Sequence, residues 1–300
     1  MPVSYRCADA SDQRIEPMLA TASQVRGWVL VEVRGAWGED AIHCSALAEH
    51  VPADWKDQLK RRHVRAVCIR SHLRTQAPDV RLYACGVRRP GQGTAPLWTR
   101  DVRSLADVVA AMDDLRLHRL LRDEAAGWRR AEQRIILVCT NGRHDQCCAN
   151  RGRPVIRALR DTRWADQVWE CSHIGGDRFA ANVVVLPDSI YFGRVEPDSV
   201  VSLLESLDAG RIDLARFRGR TSLSLAEQAV EHFVRHELGV DGLDAVAIEG
   251  RGDDGAFDVR VGERSARVRI RRRMVSVTDP LTCSGRPEQL VPSFTLVSIE

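Results

Sequence analysis

Residues 139–148, CTNGRHDQCC, hold three cysteines, and a fourth follows at Cys171 in VWECSHIGGDRF. Thiols at this density shuttle as a dithiol–disulfide pair, hold a structural zinc ion, or ligate an iron–sulfur cluster. A dithiol oxidoreductase normally shows Cys-x-x-Cys at a strand-to-helix turn, and that spacing is absent here. The vicinal Cys147 and Cys148 are a strained substitute, though either remains a candidate reactive thiolate. Structural zinc favours Cys-x2–4-Cys, whereas eight residues separate Cys139 from Cys148. An iron–sulfur cluster spans a larger volume, tolerates long spacings and accepts histidine in place of thiolate. The bland alternative, four cysteines that only pack, fits poorly with three thiols in ten residues beside turn-forming and charged neighbours.

The surroundings of these cysteines strengthen the ligand reading. Cys139 ends an apolar run, RIILV, and Cys148 falls near the start of the following helix. The dipole and unpaired N–H groups there favour a thiolate. The polar loop between them can wrap round something small, and Arg143 and His144 add positive potential to it. Beyond Cys171 come His173, Gly175, Gly176, Asp177 and Arg178. Cys171 and His173 lie on one side of the chain if it is extended there. Glycine lets the backbone approach closely, and its amides donate well to sulfide or anions. Arg143, Gly175, Gly176 and Arg178 are therefore expected round the bound group.

Two similar halves position these residues. The first reads as a strand over 27–35, a helix over about 45–62, and strands over 64–71, 79–87 and 97–102. A helix over 104–117 closes it, with Ser104 as N-cap. The order returns with a strand over 134–140, a helix over about 149–160, and strands over 167–172, 181–187 and 189–195. A helix from about Asp198 ends at Gly210, a suitable C′ residue. This repeated order, with LWTRDVRSLADVVAAM matching IYFGRVEPDSVVSLLESL, predicts an α/β fold of tandem thioredoxin-like halves, each a mixed sheet with flanking helices.

Past residue 222 an amphipathic helix, SLAEQAVEHFVRHEL, carries Leu225, Ala229, Val230, Phe233 and Val234 on one face. Alternating stretches after it predict a small α+β appendage. The boundaries expected are 1–130 for a degenerate half, 131–222 for the half with the Cys/His site, and 223–300 for the appendage. His232 and His236 have metal-compatible spacing but no second pair, and are read as a solvated face. Cys68 and Cys85 sit in apolar strands and read as buried hydrophobes, as do the isolated Cys7, Cys44 and Cys283.

Composition narrows the function further. The net charge of +3 and 5% aromatic content lack the basic, stacking surface of a nucleic-acid binder. The arginine clusters read as solvated faces and surface pairs. No run approaches a membrane span, and the opening residues lack an apolar signal core, so a cytoplasmic protein is expected. Nine cysteines are an odd number and argue against a disulfide framework.

The segments VCTNGRHDQCCANRGRP, VWECSHIGGDRFAANVVVLPDSIYFGRV and FRGRTSL…AEQAVEHFVR resemble the sucrase/ferredoxin-like family of thioredoxin-like [2Fe–2S] proteins. The opening, CADASDQRIEPMLATASQVRGWVLVEVRGAWGEDAI, is similar to that family's usual start. The resemblance implies a [2Fe–2S] electron carrier working with a redox protein partner, with no sucrose cleavage. Family ligands spaced Cys-x8-Cys and His-x3-His fall on Cys139, Cys148 and His173. The fourth position holds Asp177 instead of histidine, leaving Cys171 and Asp177 both open and Cys171 slightly favoured on softness. A thiol-dependent oxidoreductase using Cys147 or Cys148, and a zinc-stabilised interaction protein, are the alternatives.

Overall fold

A computed structural model describes residues 5–113 and 127–300. Apolar runs rich in β-branched residues form β1 (Gly27–Glu32), β2 (Val64–Arg70), β3 (Val80–Gly86) and β4 (Leu97–Val102). They lie in the order β2-β1-β3-β4, with β1 and β2 parallel and the other pairs antiparallel. After the two-residue β5 (Arg129–Arg130), the pattern recurs in β6 (Ile135–Cys139), β7 (Val168–Cys171), β8 (Val183–Leu186) and β9 (Ile190–Phe192). Their order is β7-β6-β8-β9, again with only the first pair parallel. Antiparallel pairing of β2 with β7, through Ile69↔Cys171 and Arg70↔Glu170, joins the halves into one ten-stranded sheet. The expected tandem of thioredoxin-like halves is thus the architecture.

Ring contacts show how the sheet curves. Trp28 on β1 and Tyr191 on β9 are five strand spacings apart along the sheet, roughly 24 Å if it were flat. Their ring centroids are 6.1 Å apart. The sheet is therefore rolled, and the halves face each other across a shared core that includes Trp28, Leu30, Leu137, Trp169 and Tyr191. Helices cover the outer faces. Trp55 of α2 (Trp55–Arg61) and Val108 of α3 (Val108–Asp113) pack on the first half. Val155 of α4 (Gln146–Leu159) and Leu203 of α5 (Val200–Asp208) pack on the second.

Several boundaries differ from expectation for local reasons. The helix expected over 45–62 is a single 3₁₀ turn (Ala48–His50) followed by α2, because Pro52 cannot continue a helix. Ser104 does form a capping box with Asp107, on a 3₁₀ turn leading into α3. Residues 114–117 of that expected helix lie outside the described residues. The helix α4 begins three residues earlier than expected, because the Asp145 carboxylate accepts the Cys147 amide at 2.8 Å as N-cap. An additional strand, β10 (Phe217–Arg220), for which no strand was expected, pairs with β9 at the sheet edge.

The appendage comprises α6 (Leu225–Leu238) packed on a four-stranded sheet of β11 (Val246–Arg251), β12 (Phe257–Val261), β13 (Arg264–Val277) and β14 (Gln289–Ile299). Its own core includes Val230, Val234, Ile248 and Phe257. The β13–β14 hairpin forms an arm whose tip reaches α1 (Cys7–Gln13): Tyr5 donates to Pro280 O at 2.6 Å, and Arg14 pairs with Asp279.

Two expectations are corrected here. Not all arginines are solvated: Arg220 and Arg235 are buried and share the Glu231 carboxylate at 2.9 Å. His232 is not on a solvated face. Burial brings its pKa down to about 4, and its Nδ1 has no hydrogen-bond partner. No helix among the described residues is long and apolar enough to cross a membrane.

Candidate metal centre

Three backbone elements meet at the site. Strand β6 delivers Cys139, which is in register with Cys171 on the parallel β7. Helix α4 starts on the far side of the 140–145 loop and carries Cys148 in its first turn. The helix comes close because residue 152 is glycine: a Cβ there would stand 2.1 Å from Cys139 O. Cys139, Cys148 and Cys171 are all buried.

The loop after β7 is held through its carbonyls. Arg65 donates to His173 O at 3.0 Å, Tyr191 to Ile174 O at 2.9 Å, Arg218 to Gly175 O at 3.1 Å and Asn182 to Gly176 O at 2.8 Å. Gly175 and Gly176 have φ of +98° and +83°, which glycine adopts without strain. A Cβ on Gly176 would fall 2.3 Å from the Arg218 guanidinium. Burial lowers the Arg218 pKa to about 10. This arginine, absent from the sequence reading, fastens the loop to Thr21 and Asn182.

Held this way, the loop places His173 and Asp177 beside the thiols. One ligand atom each from Cys139, Cys148 and His173 lie within 4.8 Å of one another. Asp177 Oδ1 is 3.1 Å from Cys148 Sγ and 2.8 Å from His173 Nδ1. That ring nitrogen is buried and makes no aligned hydrogen bond, although the carboxylate lies beside it. His144 stacks on His173 with centroids 3.7 Å apart, and its Nε2 is 3.7 Å from Asp177 Oδ2. Sequence reasoning gave His144 only an electrostatic role. Its loop position, four residues before Cys148, was the available signal.

The electrostatics separate the thiols. Hydrogen bonds donated by Cys148 and then Cys171 hold Cys139 well below the usual thiol range. The same contact raises Cys148, and burial raises Cys171. Asp177 is opposed by burial, but His173 and Cys148 keep it below the ordinary carboxylate value. The two groups whose ionised forms are favoured, Cys139 and Asp177, thus share a mostly buried site, an arrangement that suits a cation. Thiolate and imidazole donors suit a soft or borderline metal such as iron or zinc.

The remaining predicted residues lie as follows. Arg143 is exposed on the loop. Arg178 is engaged by Glu16 at 2.7 Å and lies over the Phe179 ring, so its charge is spent there. Cys147 and Cys148 do not work as a pair. Cys147 belongs to a separate group with Cys7, Cys283 and Asp145. A hydrogen bond from the Cys7 thiol lowers the Cys147 pKa to about 6, yet Cys147 is 2% exposed. Cys7 and Cys283 do pack, in a small apolar cluster with Cys147, but they are not isolated: chain positions 276 apart meet at 3.7 Å, whereas Cys44, expected to be buried, is exposed.

A cavity of about 760 Å³ opens beside His144 and His173. The first half lines it with Lys56, Lys60, His63 and Arg65, together with Glu39 and Asp40.

Residues 18–219 match the family described as sucrase/ferredoxin-like. Altered inheritance of mitochondria protein 32 of Saccharomyces cerevisiae is 32% identical over 101 residues, and that of Saccharomyces kudriavzevii 31%. Each match covers 29% of this chain and 32% of the relative, so the chain spans about a third of the length of these relatives. Among solved structures, a thioredoxin-like [2Fe–2S] ferredoxin from Aquifex aeolicus is 22% identical, with a TM-score of 0.27 over 30% of this chain and 94% of that one. Its Cys55Ser variant gives the same identity and TM-score over 29% and 100%. Since the family match extends over more than half of its length, the chain belongs to the sucrase/ferredoxin-like family.

Proposed function

We propose that the protein is an iron–sulfur electron carrier that holds a [2Fe–2S] cluster through Cys139, Cys148, His173 and Asp177. The observation that carries this reading is the convergence of the Cys139, Cys148 and His173 ligand atoms within 4.8 Å. Asp177 is preferred over Cys171 as fourth ligand because its oxygen touches both Cys148 and His173. When bound, such a cluster supplies one-electron exchange.

The chain's own groups set the terms of that exchange. Buried Cys139 and Cys148 face the core, while the His173 side chain is 26% exposed at the cavity mouth. A redox protein partner is proposed to dock over the cavity that the first half builds next to His173. A reducing compartment such as the cytoplasm suits nine free thiols.

The test is an anaerobic visible spectrum with iron and acid-labile sulfide measured on the same sample. About two of each per chain are expected, lost in Cys139→Ser and Cys148→Ser and retained in Cys171→Ala. Replacing the Asp177 carboxylate by a neutral imidazole, Asp177→His, removes one negative charge and should raise the midpoint potential by roughly 100 mV or more. Absence of iron and sulfide after anaerobic reconstitution overturns the proposal.

A further inference from the structure

We propose that Cys7, Cys147, Cys283 and Asp145 form a second centre, for a single tetrahedral thiophilic divalent cation of the zinc class. Their ligand atoms lie within 4.8 Å of one another. Cys147 Sγ is 3.4 Å from Cys283 Sγ, which is 3.7 Å from Cys7 Sγ. Asp145 Oδ1 is 3.2 Å from the Cys283 sulfur, and Oδ2 is 3.5 Å from that of Cys7. A tetrahedral ion with bonds of about 2.3 Å to sulfur has ligand–ligand edges of about 3.8 Å. The observed separations are close to those edges, and well beyond the ~2.05 Å of a disulfide bond.

The carboxylate supplies a second, independent observation. Asp145 is 2% exposed and accepts the amides of Cys147 at 2.8 Å and Cys283 at 2.7 Å. No lysine or arginine among the described residues pairs with it, and the groups crowding its other lone pairs are thiols. A buried anion is costly without a counter-cation. A divalent ion here neutralises the carboxylate, and the thiols that bind it release their protons.

The two centres share a helix but no ligand. Consecutive residues on a helix point about 100° apart, so Cys148 faces the first centre while Cys147 faces the second. The second centre ties α1, the start of α4 and the tip of the β13–β14 arm together. It is independent of the electron-carrier reading, and each can fail alone.

The test is cobalt(II) titration of the reduced full-length chain under anaerobic conditions, with zinc content measured on the protein as isolated. The Cys139→Ser chain should still take up about one ion per chain, with the visible d–d bands of tetrahedral thiolate-bound cobalt. Cys7→Ser and Cys283→Ser should each lose that species while keeping iron and sulfide. Asp145→Asn preserves the N-cap, and so tests the charge without unfolding the helix. It should weaken zinc at least tenfold in competition with a chelator. Cobalt bands that vanish in Cys139→Ser and persist in Cys283→Ser overturn the proposal. So does a reduced wild-type chain that binds neither metal.

Discussion

Gly152→Ala tests the packing that brings Cys148 to Cys139. The added methyl would stand 2.1 Å from Cys139 O, 3.2 Å from its carbonyl carbon and 3.3 Å from Thr140 Cγ2. An ordinary carbon–oxygen approach is about 3.3 Å, so α4 must retreat by about 1.2 Å. The closest atoms, Cys139 O and its carbonyl carbon, are backbone, and strand and helix are fixed by their own hydrogen bonds. Alanine gains about 1 kcal/mol of intrinsic helix preference over glycine. Overpacking against a buried backbone costs about 1–3 kcal/mol, and the shortness of this contact puts it at the upper end. The net expectation is a loss of about 1–2 kcal/mol in urea unfolding of the metal-free protein, at unchanged m. Cys148 lies four residues before Gly152 on the same helical face, so the retreat also widens the Cys139–Cys148 gap. Iron retained after reconstitution should fall in parallel. A variant as stable as the parent, with full iron content, would refute the close approach of helix and strand.

Other substitutions probe the supports of the site and the appendage. Because His232 is held near 4 when folded and titrates near 6.5 when unfolded, the unfolded chain binds the extra proton between these values. Stability is then full above about pH 6.5 and falls by up to roughly 3 kcal/mol on acidification to about pH 4. His232→Gln should flatten that limb of the unfolding free energy, and an unchanged slope would count against it. Glu231→Gln leaves Arg220 and Arg235 buried without their shared carboxylate and should cost about 3–5 kcal/mol, measured by chemical denaturation. Arg218→Met strips the donors from Gly175 O, Asn182 and Thr21. It should cost on the order of 3 kcal/mol and loosen the loop, read as faster amide exchange at residues 173–177.

The tandem halves were legible because each strand announces itself as a short apolar run and the order repeats. The meeting of Cys139, Cys148 and His173 in one place was legible from the same order, since Cys139 and His173 follow apolar runs of neighbouring strands and Cys148 opens the helix between them. The edge strand β10 was not. Its sequence, FRGR, carries two arginines that are buried only because carbonyls and Glu231 of other elements receive their protons. His232 misled because a period-four histidine pair says nothing about which side of the helix the β-sheet will cover. Cys7 and Cys283 were invisible as partners, since no local pattern records a contact across 276 positions.

The vicinal Cys147 and Cys148 join two problems of very different range. Every proposed ligand of the first centre falls between residues 139 and 177, so its loops close cheaply and a growing chain can complete it once the second half exists. The thiol group around Asp145 needs residues 7, 147 and 283, and so only the whole molecule can assemble it. Because loop closure is harder over long stretches and local contacts form first, the two adjacent sulfurs should reach their places at different times. A chain arrested or partly melted in its appendage would keep one thiol seated and leave its neighbour exposed. Alkylation of Cys147 with Cys148 protected would then mark chains whose ends have not come together.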